Sequence, residues 1–211
     1  MFALAIVTTG TSTGGMIFPA IAERLLNTTG FGWMIRVMGF VMLFNAIIIL
    51  LLLRPRVPPR KGGPFVEWKA FLDPVYTLYV AGAFFCIWGN FVVYFYNRSF
   101  ARNILHTSSD TSFELLLVMN AIGYPGRIIP AIIADRYLGP VNTLIPAALL
   151  SGIVMGTWMA VDKLQGEWAF TIVYGFFSSG VMGLVPSALS SLTDDLSKLG
   201  IRMGLAERRA R

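Results

Sequence analysis

Long apolar stretches alternate with short polar connections along the whole chain. A membrane-spanning helix needs about 20 mostly apolar residues. Six stretches meet that requirement, and we place them at 3–22, 34–53, 71–95, 114–134, 141–161 and 168–190. The pattern therefore predicts an all-α integral membrane protein with six transmembrane helices.

The composition agrees with a membrane protein and argues against several other classes. The chain is 55% hydrophobic and only 13% charged, whereas soluble domains contain about 25% charged residues. Its net charge of +6 comes from Lys and Arg residues in separate connections, which argues against a nucleic-acid-binding surface. The single Cys86 excludes an intramolecular disulfide, and His106 has no second His or Cys nearby. We therefore expect neither a metal site nor a cofactor.

The distribution of Lys and Arg between the connections predicts the orientation of the spans. One side carries only Arg24, Arg36, Arg98, Arg102 and Lys163. The other side, formed by 54–70, 135–140 and the tail from Ser191, carries Arg54, Arg56, Arg60, Lys61, Lys69, Arg136, Lys198, Arg202, Arg208, Arg209 and Arg211. Cytoplasmic connections are the ones enriched in Lys and Arg. Both termini and the Pro- and Gly-rich linker at 54–70 are therefore predicted to be cytoplasmic, with the plasma membrane as the expected location.

Arg127 is the most unusual residue of the apolar stretches. It lies inside the fourth span, about 10 Å from its cytoplasmic end at 1.5 Å per residue, where a charge costs about 2.5–3.5 kcal/mol on insertion scales. Helical side chains lean toward the helix N-terminus, so Arg127 is expected to point toward mid-membrane. Asn120, Gly123 and Tyr124 share its helix face. Arg127 either binds an anion in a cavity, with Asn120 and Tyr124 beside it, or pairs structurally with a neighbouring helix.

The third span supplies two further candidates for the lining of a cavity, Asn90 and Trp88, for which helix packing is the alternative. The polar stretch Thr8–Gly15 and the pair Ser178 and Ser179 are also compatible with either role. All acidic residues lie at span ends or in connections, and no HExxH, GxSxG, Walker or CxxC motif is present. We therefore predict no catalytic residues and no enzymatic activity.

The segment PAIIADRYLGP resembles a cytoplasmic connection of the major facilitator superfamily, whose motif is roughly Gly-x-x-x-Asp-Arg/Lys-x-Gly. Asp135 and Arg136 match this motif, Gly139 comes one position late, and Ala131 stands where the first Gly is usual. With NAIGYPGRIIPAIIADR, GTSTGGMIFP, GFGWMIRV and GIRMGL, the chain is similar to fungal-type monocarboxylate-transporter-like members. The resemblance implies that Asp135, Arg136 and Gly139 form a conformational motif.

The resemblance also implies how the chain is organised. The family has twelve spans in two halves, and the six spans here would be the fifth to the tenth. Residues 1–53 would hold the last two helices of the N-terminal half, 54–70 the central cytoplasmic linker, and 71–190 the first four helices of the C-terminal half. Residues 191–211 would be a cytoplasmic tail or the start of the next helix. Missing helices or another transporter chain would be needed to complete the cavity.

The function implied by the resemblance is proton-coupled transport of small monocarboxylates or similar organic anions by rocking of two halves. Arg127 stands where the family has an Arg that pairs with the substrate carboxylate. Gly123 stands where well-studied animal members carry an Asp, so the expected proton-carrying acid is missing there. We expect this length of chain to be inactive by itself. The alternative is a non-transporting membrane protein or partner subunit derived from a truncated transporter.

Overall fold

The computed structural model describes residues 2–53 and 72–192, and every regular element in these ranges is helical. The six long helices are α1 (Phe2–Thr28), α2 (Phe31–Leu52), α3 (Pro74–Asn103), α4 (Ser109–Ile133), α5 (Pro140–Thr157) and α6 (Leu164–Ser191). Each is long and apolar enough to cross a membrane. The prediction of six transmembrane helices and an all-α fold is confirmed for the described residues.

The helices extend beyond the apolar stretches that predicted them. α3 continues to Asn103, and α4 begins at Ser109, several residues before the predicted start at 114. Ser108 caps α4, because its hydroxyl oxygen accepts a hydrogen bond from the backbone N–H of Thr111 at 3.1 Å. Hydropathy detects only the apolar part of a helix, whereas backbone hydrogen bonds continue into its polar end turns.

The described residues separate into two compact units. One contains α1 up to Thr13 together with the residues from Leu72 onward, and the other contains residues 14–53. The predicted linker at 54–70 and nearly all of the predicted tail at 191–211 lie outside the described residues. All of the contacts described below lie within the first unit.

The most extensive contact between the described helices of this unit joins α4 to α6. A Cβ atom added to Gly126 would lie 2.5 Å from the carbonyl oxygen of Phe176, and one added to Gly180 would lie 3.0 Å from that of Gly126. Glycine at both positions lets the two backbones touch. Such small-residue contacts are how helices pack in a membrane, where burial from water contributes little.

Two apolar clusters fill the remaining space between α3, α4 and α6. One consists of Val93, Met119, Phe170 and Tyr174, and the other of Tyr76, Val80 and Leu189. Beside the second cluster, the hydroxyl of Tyr79 donates to the carbonyl of Val185 at 2.6 Å. These contacts hold α3 against α6 and so place the polar residues of α3.

Candidate functional site

Arg127 lies in the second half of α4 and is 7% exposed. One terminal nitrogen, Nη1, donates a hydrogen bond to the hydroxyl of Ser12 on α1. The same nitrogen lies 3.1 Å from the position a Cβ atom would take at Gly123, one turn closer to the start of α4. The predicted lean of Arg127 toward the helix N-terminus is therefore confirmed.

No carboxylate among the side chains of residues 4–53 and 72–192 is hydrogen-bonded to Arg127. Its Nε is buried and lacks a hydrogen-bond partner within those residues. Removing one partner of a buried ion pair costs about 3–5 kcal/mol, because the remaining charge is uncompensated. An arginine in this condition is suited to receive an anion from outside the chain.

The guanidinium of Arg127 lines a cavity of about 310 Å³. The cavity walls combine hydroxyls, an amide, aromatic rings and a thioether, from Thr8, Thr11, Phe91, Tyr94, Asn120, Arg127 and Met182. Binding sites for small molecules typically join apolar walls to a few polar groups that orient the ligand. This arrangement fits a small organic anion with an apolar part.

Gly123 borders the guanidinium and leaves no room for a longer side chain. A Cβ atom at this position would lie 2.7 Å from the Ser12 hydroxyl oxygen and 2.8 Å from that of Ser179. The Ser179 hydroxyl is also 3.3 Å from the hydroxyl of Tyr94. Neutral hydroxyls of Ser12 and Ser179 therefore lie beside Gly123, the position at which the sequence lacks the expected acid.

Two of the predicted site residues lie at or beside this cavity. Asn120 lines it, while its side-chain nitrogen donates to the carbonyl of Leu116 at 2.9 Å. Tyr124 is next to it, and its hydroxyl is 2.7 Å from that of Thr13. Asn120 and Arg127 thus line the same cavity, as their spacing on α4 predicts.

The structure does not bring Asn90 and Trp88 into the cavity. Asn90 is buried between α3 and α6, where the hydroxyl of Tyr174 donates to its side-chain oxygen at 2.8 Å and its nitrogen donates to the carbonyl of Ser178 at 3.4 Å. Trp88 is 60% exposed and packs edge-on against Phe84. Residues two apart on a helix lie on nearly opposite faces, so Trp88 and Asn90 cannot both point at one site.

From the sequence, Ser179 and the stretch Thr8–Gly15 are compatible with either a cavity lining or helix packing, whereas Phe91, Tyr94 and Met182 are not predicted to belong to the site. Ser12, Tyr94 and Ser179 surround the guanidinium, and Phe91 and Met182 form the apolar wall. Ser12 and Ser179 lay in stretches recognised as polar, but their partners depend on contacts between distant helices. Phe91 and Tyr94 are three residues apart on α3, a spacing that places both on one face.

The predicted conformational motif forms the connection between α4 and α5. Ala134–Leu138 is a π-helical turn in which Asp135 and Arg136 are exposed. Gly139 follows with a φ of 76°, and its N–H donates to the carbonyl of Ala134 at 3.0 Å. Glycine adopts this left-handed backbone without steric cost, so the turn can end and α5 can begin at Pro140.

Residues 1–207 match the family described as the Major Facilitator Superfamily. The chain belongs to this superfamily. The resemblance seen in the sequence is therefore confirmed at the level of the superfamily, while the monocarboxylate-transporter type stays a prediction. Members of this superfamily are transporters.

Several fungal proteins are similar to the chain over 96% of its length. An MFS-type transporter of Gibberella zeae is 36% identical, and 46% of its own length is covered. The aspyridones efflux protein of Emericella nidulans and the agnestins efflux protein of Paecilomyces divaricatus are each 31% identical, with 41% and 46% covered. The chain therefore spans about half the length of the curated relatives it matches.

Proposed function

We propose that the chain supplies the substrate-binding part of a secondary transporter for a small organic anion, with monocarboxylates as the simplest class. The observation that carries the proposal is Arg127, which is buried, has no carboxylate partner among the described residues and lines a cavity of about 310 Å³. A guanidinium can hold a carboxylate through two parallel hydrogen bonds. The substrate would complete the ion pair that the described residues leave incomplete.

The walls of the cavity suggest what else the substrate contains. Phe91 and Met182 present apolar surface, and the hydroxyls of Thr8, Thr11 and Tyr94 can donate or accept hydrogen bonds. An anion with an aromatic or branched apolar part would use both kinds of wall. Two relatives are named as efflux proteins, which favours export as the direction of transport.

The location and the completeness of the transporter are part of the same proposal. The excess of Lys and Arg on one side favours a cytoplasmic location for both termini and for residues 54–70, and the plasma membrane suits an exporter. The six helices would correspond to the fifth to tenth of a twelve-helix transporter. Further helices, from the same gene product or another chain, would complete the cavity, and protons would serve as the coupling ion.

A binding assay with matched ligands tests the role of Arg127. The full-length product of the gene and residues 1–211 are purified in detergent, and thermal stabilisation is measured with monocarboxylates from lactate to 3-phenylpropionate and with the corresponding uncharged amides. The acids should stabilise the protein and the amides should not. Arg127→Ala should weaken binding of the acids at least about 30-fold, because truncating one partner of a buried charge pair costs about 2–5 kcal/mol.

A second substitution distinguishes the charge of Arg127 from the geometry of its guanidinium, and a substitution elsewhere serves as the control. Arg127→Lys should recover only part of the affinity, because an ammonium cannot form the bidentate contact. Arg102→Ala, at an exposed position in the last turn of α3, is the matched control and should bind normally. Equal binding of acids and amides, or normal binding by Arg127→Ala, would contradict the anion site.

Counterflow in proteoliposomes distinguishes transport from the alternative of a non-transporting partner subunit. Liposomes loaded with unlabelled 3-phenylpropionate should accumulate the labelled anion when they contain the full-length product. Residues 1–211 alone should show no counterflow. If only a mixture of residues 1–211 with a homologous transporter alters transport, the partner-subunit hypothesis is favoured instead.

A further inference from the structure

Glu167 is a completely buried carboxylate outside the Arg127 cavity. It lies in the first turn of α6 and is 0% exposed. Its Oε2 accepts a hydrogen bond from the indole N–H of Trp158 at 3.2 Å, while its Oε1 is buried and has no hydrogen-bond partner in the described part of the chain. Burying an ionised carboxylate without full pairing is costly, so such a group tends to acquire a proton or a cation.

A second unpaired oxygen lies on the facing helix. Asn97 of α3 is 0% exposed, and its side-chain nitrogen donates to the hydroxyl of Thr171 at 3.2 Å. Its Oδ1 has no partner among the described residues. Thr171 lies one helical turn after Glu167 on the same face of α6. This part of the contact between α3 and α6 therefore contains two buried acceptor oxygens that have no hydrogen-bond partner among the described residues.

The surroundings of Glu167 are otherwise apolar and aromatic. The ring of Trp158 stacks on that of Phe170 at 5.3 Å, and Phe170 stacks on Tyr174 at 5.3 Å. Trp158 also lines an apolar cavity of about 490 Å³ together with Phe100 and Met155. The indole that donates to Glu167 is thus part of an aromatic stack and of an apolar cavity wall.

Charged groups of the neighbouring elements do not compensate Glu167 by hydrogen bonding. From α3, the guanidinium of Arg98 donates to the hydroxyl of Ser109 and lies over the ring of Phe113. α5 contains no charged residue. The charged residues at the near ends of α4 and α6 are exposed: Asp110, Glu114, Asp162 and Lys163. Within the described part of the chain, no hydrogen-bond donor therefore reaches Oε1.

A line of polar groups connects this region to the anion site. On α6 it passes from Glu167 to Thr171, Tyr174 and Ser178, positions that share one face. The hydroxyl of Tyr174 donates to the side-chain oxygen of Asn90 on α3, and the side-chain nitrogen of Asn90 donates to the backbone carbonyl of Ser178. The hydroxyl of the adjacent Ser179 is 3.3 Å from that of Tyr94 and lies beside Gly123, which also borders the guanidinium of Arg127. Twelve residues separate Glu167 from Ser179, or about 18 Å along α6.

We propose that Glu167 is the proton-binding carboxyl that couples proton movement to transport of the anion bound at Arg127. A proton from water at the start of α6 binds Oε1, an O–H bond forms, and the charge of the side chain changes from −1 to 0. The neutral form is compatible with the buried packing described above. Loss of the proton favours a second arrangement of the α3–α6 contact, in which water reaches the carboxylate. A change of pH therefore shifts the equilibrium between the closed and the hydrated arrangement.

The choice of a proton over a metal ion follows from the ligands available. No group of three His, Cys, Asp or Glu side chains that could hold a metal ion occurs in residues 4–53 and 72–192. One carboxylate and one amide oxygen are few ligands for Ca²⁺, which takes six to eight, and Mg²⁺ requires six. A single unpaired carboxylate oxygen needs only one proton.

This inference rests on the proposed anion transport. Two assays, counterflow and accumulation driven by a pH gradient, test the anion site and the proton-binding role separately. Glu167→Gln replaces the carboxylate with a neutral group of the same shape in the full-length product. Counterflow of 3-phenylpropionate needs no net proton movement and should be retained within about 2-fold. Accumulation driven by a pH gradient, corrected for protein-free liposomes, should fall at least about 10-fold. Arg127→Ala should lose both activities.

The outcomes are distinct. Normal pH-driven accumulation by Glu167→Gln overturns the proton-binding role, as does a wild-type protein whose accumulation requires Na⁺ and not a pH gradient. In both cases a loss of counterflow in Arg127→Ala would still support the anion site. Absence of counterflow in the wild-type protein would overturn the proposed function itself.

Chemical labelling of the wild-type protein provides a test that does not depend on a folded variant. Dicyclohexylcarbodiimide is an apolar reagent that reacts with protonated carboxyl groups, and the apolar cavity is lined by Trp158, the residue that hydrogen-bonds Glu167. Mass spectrometry should find Glu167 labelled at low pH and protected at high pH. The exposed Glu114 is the internal control and should not show this labelling. Labelling of Glu167 that is absent or independent of pH would overturn the proposal.

Discussion

Replacing Gly126 by alanine tests whether the contact between α4 and α6 determines the fold of the first unit. The added Cβ atom would lie 2.5 Å from the carbonyl oxygen, 3.1 Å from the Cα and 3.2 Å from the carbonyl carbon of Phe176. All three are backbone atoms, so no side chain can rotate to make room. The two helices would have to separate by roughly 1 Å to restore an ordinary contact, a change that close-packed interiors resist.

The expected cost follows from this geometry. Overpacking of a filled interior typically costs about 1–3 kcal/mol. Gly82 on α3 is the matched control, because a Cβ atom there would meet nothing within 4 Å. Alanine at Gly82 should be neutral or favourable by up to about 1 kcal/mol, the difference in helix propensity between Gly and Ala. Gly126→Ala should therefore be about 2 kcal/mol less stable than Gly82→Ala, or about 30-fold in the ratio of folded to unfolded protein.

Thermal unfolding in detergent measures this difference. A change of about 2 kcal/mol corresponds to roughly 4–8 °C for a chain of about 150–250 residues. Both variants are expressed as fluorescent-protein fusions, and the fraction that remains monodisperse after heating is followed by size-exclusion chromatography. Equal midpoints for Gly126→Ala and Gly82→Ala would refute the argument that backbone contact at Gly126 limits the approach of α4 and α6.

Two further predictions concern the turn after α4 and the wall of the cavity. Gly139→Ala should lower the unfolding midpoint by a few degrees, because a left-handed backbone costs an L-residue about 1–2 kcal/mol; a midpoint unchanged from wild type would contradict the role assigned to its positive φ. Phe91→Ala should weaken binding of 3-phenylpropionate several-fold in the thermal-stabilisation assay, because Phe91 lines the cavity. Trp88→Ala should not weaken it, because Trp88 is exposed and is not one of the lining residues. The reverse order of effects would show that the substrate approaches the other face of α3.

The sequence was sufficient to predict the number of helices but not their ends. Six apolar stretches are separated by charged connections, and each became a helix in the described residues. The boundaries were wrong by up to several residues, as at the end of α3 and the start of α4. A cap such as Ser108 decides where a helix begins, and a hydropathy pattern does not register it.

The site was predicted where it depends on one helix and missed where it depends on several. Arg127 and Asn120 lie seven residues apart on α4, so their common face follows from helical periodicity alone. Ser12 and Ser179 come from α1 and α6, and nothing in their local sequence indicates that they meet beside Gly123. The sequence also suggested no special role for Glu167, because a carboxylate near a span end is ordinarily exposed.

The sequence by itself determined that the chain crosses a membrane and carries a charge at membrane depth, because apolar length and composition are properties of single segments. Only the tertiary structure decided which polar groups are paired. Among the described residues it gave Arg127 no carboxylate partner, turned Trp88 away from the cavity, and buried Glu167 with one oxygen unpaired. The physical reason is that pairing depends on which faces of distant helices meet, and glycines such as Gly126 and Gly180 set how closely they do so.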